Sequence, residues 1–466
     1  MNLPAARALS GAVMVLSSSR LCAKAFLCPC SITEIPRSLV VGEAVFQAFT
    51  SDLKLLTRYT QLFPLCFAVF VSMLGFGLVM PLLPIYARNF GATGAELGLL
   101  TASFAVARII TTFPGGMLAD WAGRKIPVVL GLLAYSVVMT LYGFSEDVNQ
   151  LILLRGLQGL ASGIVWPVLS TMVVDIAAPE DRSKAIGLYE MMWFLGSVVG
   201  PGLGGVLAGA FTVATPFFVC GILAFASMIL VAFTVKETMR THKKPENKPA
   251  KSHSEKDSNS TLADEGGSFL VNSVSALTPY PKIFVGLCVV GLLISFSHSL
   301  IQPVLSVFAN EELGISVVDV GLLFTAMGIV TLVTTLPLGT AADRTGRKIT
   351  LVTGILFTAF SAVLITVSGS FWPLLLVMMM RGVGRAATNP SLTVMFTNLL
   401  PITRRGRGMG IYNGFRNVGL VVGSSVGGFL YDTMSSQTPF IICAIAGLVA
   451  VAVIIFLITE PERGLE

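Results

Sequence analysis

Charged side chains are scarce in this chain, so those that fall inside apolar stretches mark where chemistry is possible. Asp175 and Glu190 are carboxylates that can take up and release a proton, and His298 is an imidazole able to titrate near neutrality. Arg155, Arg381 and Arg385, together with Arg108 and Arg416, are permanent cations that can hold an anionic group. Gln158 follows Arg155 by one helical turn and adds a neutral donor and acceptor. Other charges cluster in a short sequence that occurs twice, Asp120-Trp121-Ala122-Gly123-Arg124-Lys125 and Asp343-Arg344-Thr345-Gly346-Arg347-Lys348. No phosphate loop, nucleophile elbow or His/Cys metal cluster accompanies them. The seven cysteines (22, 28, 30, 66, 220, 288 and 443) form no metal spacing. The chemistry on offer is proton exchange and ion recognition, so neither an enzyme nor a bound cofactor or metal is expected.

The elements that must position these groups follow from hydropathy. Of 466 residues, 54% are hydrophobic and only 12% charged, and the mean hydropathy is +0.81. A soluble domain carries about 25% charged residues. Apolar runs of roughly 20 residues are long enough to cross a bilayer. They predict helices near 62–86, 96–119, 126–144, 150–174, 184–209, 213–235, 283–309, 318–341, 349–369, 373–397, 408–431 and 438–459. The fold class is therefore all-α membrane protein, with twelve spans in two groups of six. The odd-numbered connections contain Arg88 and no other Lys or Arg. The even-numbered ones hold Arg124, Lys125, Arg182, Lys184, Arg344, Arg347, Lys348, Arg404, Arg405 and Arg407. By the positive-inside rule both termini are expected in the cytoplasm.

The two groups of six are copies. The offset between the repeated aspartates, 343 − 120 = 223, also relates Gly187, Tyr189, Gly196, Gly200, Gly204 and Gly205 to Gly410, Tyr412, Gly419, Gly423, Gly427 and Gly428. A duplicated hydrophobic chain with a charged turn in each half predicts two pseudo-symmetric bundles. In each turn Gly123 or Gly346 permits a tight bend. Asp120 can meet Arg124 or the positive N-terminus of a neighbouring helix. Such contacts would form only when the halves close on that side, which makes Asp120, Gly123, Arg124, Lys125, Asp343, Gly346, Arg347 and Lys348 gating candidates. The plainer alternative is a basic loop that only sets topology.

On these residues the chain resembles the major facilitator superfamily, over roughly residues 60–460. The Asp120/Arg124/Lys125 turn is similar to that superfamily's loop between its second and third helices. The resemblance implies a central cavity between the bundles and rocker-switch alternating access. The fifth span reads Gly196-Ser-Val-Val-Gly200-Pro201-Gly202-Leu-Gly204-Gly205 and resembles the Gly-x-x-x-Gly-Pro-x-x-Gly-Gly motif of its drug–proton antiporters. Ser424 replaces the proline in the second half, as in antiporters, which carry the motif in the first half alone. Physically, such glycines let helices approach closely, and Pro201 predicts a kink. A plain packing stripe is the alternative reading. Arg155-x-x-Gln158-Gly159 matches a pattern linked in the family to proton coupling, and Pro81-x-x-Pro84 matches its first-helix prolines.

The resemblance implies secondary active transport, with proton-coupled efflux of a small organic molecule or drug as the leading reading. Uptake or facilitated passage of a small metabolite, anionic ones included, is the alternative. Glu190, Arg155 and Asp175 are the proton-coupling candidates, although Asp175 could instead pair with Arg182 or Lys184. Pro81, Pro84, Arg155, Gln158, His298, Arg381 and Arg385 are the cavity candidates. An arginine excess in the spans favours anionic or zwitterionic solutes. The expected partners are that solute, protons and the lipid bilayer, with no nucleic acid, and the chain is expected to act as a monomer, most simply in the plasma membrane. Residues 1–58 form an extension that reads as a targeting segment, a cytoplasmic tail or a misassigned start. Residues 59–235 and 282–466 form the bundles. The charged, Ser/Lys-rich segment 236–281 reads as a flexible tether.

Overall fold

In the computed structural model, the residues described are 58–238, 278, 280–401 and 404–458. The extension up to residue 57, with Cys22, Cys28 and Cys30, lies outside them, as does nearly all of the expected tether. Twelve long helices are present among the described residues: α1 (Leu62–Asn89), α2 (Gly94–Ala122), α3 (Lys125–Tyr142), α4 (Val148–Ile176), α5 (Arg182–Ala210), α6 (Thr215–Thr234), α7 (Pro281–Val307), α8 (Val317–Thr345), α9 (Arg347–Val367), α10 (Phe371–Asn398), α11 (Arg405–Thr433) and α12 (Thr438–Leu457). A π-helical turn, Phe308–Glu312, continues α7. Ten of these helices are long and apolar enough to cross a membrane. The other two, α10 and α11, are equally long but are diluted by Arg381 and Arg385 and by a glycine-rich stripe.

Every helix was anticipated, and most run further than the hydrophobic stretch that revealed them. Polar ends carry no hydropathy signal but do carry caps. Thr93 and Glu96 form a capping box at the start of α2, and Ser316 accepts a hydrogen bond from the Asp319 N–H at the start of α8. Both are N-caps at equivalent positions of the two halves, since 316 − 93 = 223.

Packing obeys the repeat. The pairs α1·α5, α2·α4, α3·α6 and α1·α6 of the first half correspond to α7·α11, α8·α10, α9·α12 and α7·α12 of the second. The halves meet along α2·α11 and α5·α8, with α1 against α7. Large apolar side chains line the outside: Phe233 and Phe456 are 85% and 84% exposed. In water such a belt would drive aggregation, whereas hydrocarbon is its natural solvent. Cys66, Cys220, Cys288 and Cys443 are buried free thiols that pack as small apolar groups.

Candidate functional site

The glycine stripes divide by the partner they admit. A Cβ on Gly196, Gly200 or Gly204 would run into α1, and one on Gly419, Gly423 or Gly427 into α7. Those glycines hold each half together. Gly205 instead meets the backbone of Val317, Val318 and Gly321, and Gly428 meets Gly94 and Gly98. These two contacts join the halves, and they are copies: 428 − 205 and 321 − 98 both equal 223. Thr325 reinforces one of them by donating to the Val198 carbonyl at 3.1 Å. Pro201 lies within an unbroken helix, its ring against Gly77 of α1 and its carbonyl against Gly321 of α8.

These inter-half contacts lie toward the end bearing the short odd-numbered loops, where an ionic cluster adds to them. Arg88, at the end of α1, pairs with Asp432 of α11 at 3.2 Å and with Glu311 of the π turn at 3.4 Å. Asp432 also accepts from the Gly94 N–H, and the Arg88 guanidinium lies 5.7 Å from the centre of the Tyr431 ring. Arg88 stood out in the sequence as the one basic residue of these connections, but its partners come from the other half and were invisible there.

At the opposite end the halves part. Arg108 and Asp120 of α2, Trp166 of α4 and Asn413 and Arg416 of α11 line a cavity of about 1730 Å³. Above it, a second cavity of about 750 Å³ lies between α1, α5, α7, α8 and α10. Its walls are mainly apolar, with Phe76, Met80, Phe194, Phe324 and Met327, and its polar groups are Ser197, His298, Gln302, Thr331 and Arg385. None of the aromatic residues had been singled out from the sequence, because a cavity-lining phenylalanine there looks like any other core residue.

The candidate residues fall in several places. His298 and Arg385 face the central cavity as expected. Pro81 and Pro84 do not line it; both are buried within α1. Arg155 and Gln158 are also buried behind its wall. The Arg155 guanidinium, 3% exposed, donates to Gln158 Oε1 at 2.7 Å and sits 4.5 Å from the centre of the Phe104 ring. Tyr142 donates to the same oxygen at 3.1 Å, and Gln158 Nε2 donates to Tyr135 Oη at 3.4 Å. Arg381 is likewise 3% exposed.

Glu190 lies eight residues beyond the start of α5 at Arg182 and is exposed. Phe194, Ser197 and Pro201 line the central cavity and follow Glu190 at helical spacing, so the carboxylate belongs to the face of α5 that looks into the gap between the halves.

In the repeated turns Gly123 and Gly346 have φ of +91° and +103°, as their role required. The expected aspartate–arginine pair forms in the second turn, Asp343–Arg347 at 2.8 Å, but not in the first; it lies within one turn and is made with the halves parted at this end, so it does not depend on their closure as expected. There Arg124 pairs with Asp175 of α4, which corrects the assignment of Asp175 to Arg182 or Lys184. The Glu237 carboxylate accepts from the backbone N–H groups of Arg124 and Lys125 at 2.9 and 3.1 Å, capping α3. Lys348 instead donates to the Ile455 and Ile458 carbonyls at the end of α12, at 3.4 and 2.7 Å. Lys184 pairs with Asp181, which also takes hydrogen bonds from Arg58 and Tyr59. Burial pushes the Asp181 carboxyl up, but the bonds from Tyr59 and Lys184 and the Arg58 and Lys184 charges prevail and hold it below its ordinary value.

Relatives and solved structures agree with this architecture. Two segments, residues 65–293 and 287–466, each match the family model described as Major Facilitator Superfamily. The chain is 26% identical over 409 residues to the quinolone resistance protein NorA of Staphylococcus aureus, covering 87% of this chain and 97% of that one. It is 28% identical over 374 residues to multidrug resistance protein 2 of Bacillus subtilis, covering 80% and 89%. A bacterial homologue of the human lysosomal transporter Spinster, in an inward-facing and occupied conformation, superposes with a TM-score of 0.71 at 14% identity, covering 86% and 97%. The nucleoside transporter NupG does so with a TM-score of 0.67 at 16% identity, covering 86% and 100%. This chain is a multi-pass membrane transporter of a small molecule and belongs to the Major Facilitator Superfamily.

Proposed function

We propose that this transporter is a proton-coupled exporter of small organic molecules, working by alternating access as a monomer in the plasma membrane. The positive-inside rule puts both termini and the repeated turns in the cytoplasm. On that orientation the state described is inward-facing: the vestibule opens to the cytoplasm, and Arg88, Asp432, Glu311 and the Gly205 and Gly428 contacts seal the outer end. Residues 59–235 and 282–466 are the two moving bundles, joined by a tether over 236–281, with 1–58 as an extension.

The observation that carries the reading is the placement of Glu190. It is an exposed carboxylate one helical turn before Phe194, on the same helical face as Phe194, Ser197 and Pro201 of the central cavity. A proton and a solute would then compete for one aqueous compartment: the proton neutralises Glu190, and its departure leaves a charge whose hydration holds the vestibule open. Closure would bring the N-terminus of α11, with Arg405 and Arg407, over Asp120, which now faces the vestibule. Arg124, anchored by Asp175, and Lys125 would keep that turn in shape. The resistance named in the two relatives supports export as the direction.

Everted membrane vesicles test this. With the lumen acidified, native protein is expected to accumulate a fluorescent quinolone, the accumulation ending when nigericin removes the gradient. Glu190→Gln is expected to abolish gradient-driven accumulation while solute binding persists. Accumulation by Glu190→Gln at the native rate would remove Glu190 from coupling, and accumulation indifferent to nigericin would reject proton drive.

A further inference from the structure

Five arginines lie well inside the long helices, away from their ends: Arg108, Arg155, Arg381, Arg385 and Arg416. Among the described residues none of the five forms an ion pair with a carboxylate. Such a side chain at mid-membrane is costly and ordinarily faces a cavity or a partner. A buried cation is ordinarily paired or fully hydrogen-bonded. Arg155 has Gln158 and the face of Phe104, as described. Each of the three buried arginines leaves one nitrogen without a hydrogen-bond partner, Nε of Arg155, Nη1 of Arg381 and Nε of Arg385, and of the three only Arg385 lines the central cavity.

Arg381 and Arg385 are one turn apart on α10, and His298 of α7 lies within electrostatic range of both and of Arg416. Arg385 likewise interacts with Arg381 and Arg416. Like charges packed together raise the free energy of the empty site unless something negative enters it. His298 and Arg385 both line the central cavity, and both also line a smaller cavity inside the second half. Three phenylalanines and two methionines line the same central cavity. A concave apolar space with a few convergent polar groups is the form of a small-molecule site. Here the convergent charge is of one sign.

We propose that Arg385, with His298 beside it and Arg381 behind, binds the negatively charged group of an organic anion. The anion's apolar body lies between Phe76, Phe194 and Phe324. The proposal rests on the export reading for the location of the transported solute, and it narrows the solute to amphipathic carboxylates and sulfonates, zwitterions included. An inorganic anion could satisfy the same cations but would leave the aromatic walls unused.

Binding to the purified full-length protein discriminates these cases. Equilibrium dialysis would compare 1-naphthoate, 1-naphthylmethanol and 1-naphthylmethylammonium, which share one ring system and differ in charge. Native protein is expected to prefer naphthoate, with Arg385→Gln weakening it by about 10-fold or more, the loss that accompanies removal of a charge-assisted hydrogen bond. Arg385→Lys keeps the charge and should lose less. Exchange of gluconate for chloride should leave naphthoate bound. A native preference for the ammonium, absence of naphthoate binding, native affinity in Arg385→Gln, or displacement by chloride would each overturn the proposal. The native-protein arms do not depend on any variant folding. Naphthoate bound at Arg385 without proton movement in vesicles would sink proton coupling and leave the site. Proton movement driven by the ammonium with naphthoate ignored would do the reverse.

Discussion

Gly428→Ala is expected to drive the protein out of the state described without unfolding it. Its Cβ would collide with the Gly94 carbonyl and the backbone around Gly98. Those atoms belong to α2, in the other half, so no rotamer change relieves the clash. Overpacking of this kind costs about 1–3 kcal/mol. The chain can escape that cost by parting α2 from α11 at this end, which is the motion alternating access requires. The ratio of outer-closed to outer-open protein should therefore fall by roughly 5- to 150-fold. Two substitutions on the same helix calibrate the result. An alanine at Gly414 meets nothing within 4 Å and should change neither state. An alanine at Gly427 meets the Leu300 carbonyl of its own half, so it should lower thermal stability in both states and shift neither. Spin labels at Asn89 and Ser435, exposed near the outer ends of α1 and α11, report the separation by double electron–electron resonance. The longer-distance population should grow in Gly428→Ala alone. An unchanged distance distribution in a Gly428→Ala protein of native thermal stability would refute the reasoning, because the contact would then not hold the halves together.

Gln158→Leu keeps the volume but strips Arg155 and Tyr142 of their shared acceptor. It should destabilise the solubilised protein by roughly 2–4 kcal/mol, from two buried donors left unsatisfied, while naphthoate binding stays native; binding lost at native stability would instead make Arg155 a solute contact. Asp181 has a depressed folded pKa, so its contribution is fully present above the unfolded value near 3.9 and is lost as pH falls through the folded value. Asp181→Asn should therefore lower stability at neutral pH and flatten the acid limb of the melting-temperature profile, and two profiles separated by a constant offset down to pH 3 would contradict the assignment.

The fold was legible because hydropathy and duplication are averaged over many residues. Twenty apolar positions survive a few errors, and an offset of 223 shared by loops and glycines cannot arise from composition alone. Local turn chemistry was legible too: Gly123 and Gly346 adopt the positive φ that their motif demanded. The partners of charged groups were not. Asp175 reads as a neighbour of Arg182 along the chain, but its partner Arg124 comes from another helix pair. Glu237 caps α3 from beyond α6, and nothing in a charged stretch announces that one acid is fixed. Arg155 and Arg385 carry the same label in the sequence, an arginine in a span. Rotation about each helix axis puts one behind an aromatic wall and the other on the cavity surface, and that rotation depends on the neighbouring helices. The glycine stripes likewise showed close packing without saying which contacts belong to one half and which join the two.

The central claim is obligatory exchange of proton for solute through a site reached alternately from each side. Purified protein in liposomes, with a pH-sensitive dye inside and labelled 1-naphthoate followed in the same sample, measures both fluxes at once. The account predicts that an imposed solute gradient moves protons in the opposite direction at a fixed ratio, and that Glu190→Gln ends proton movement while retaining solute exchange. Solute equilibrating with no proton movement in native protein would contradict it and leave a facilitator on the same fold.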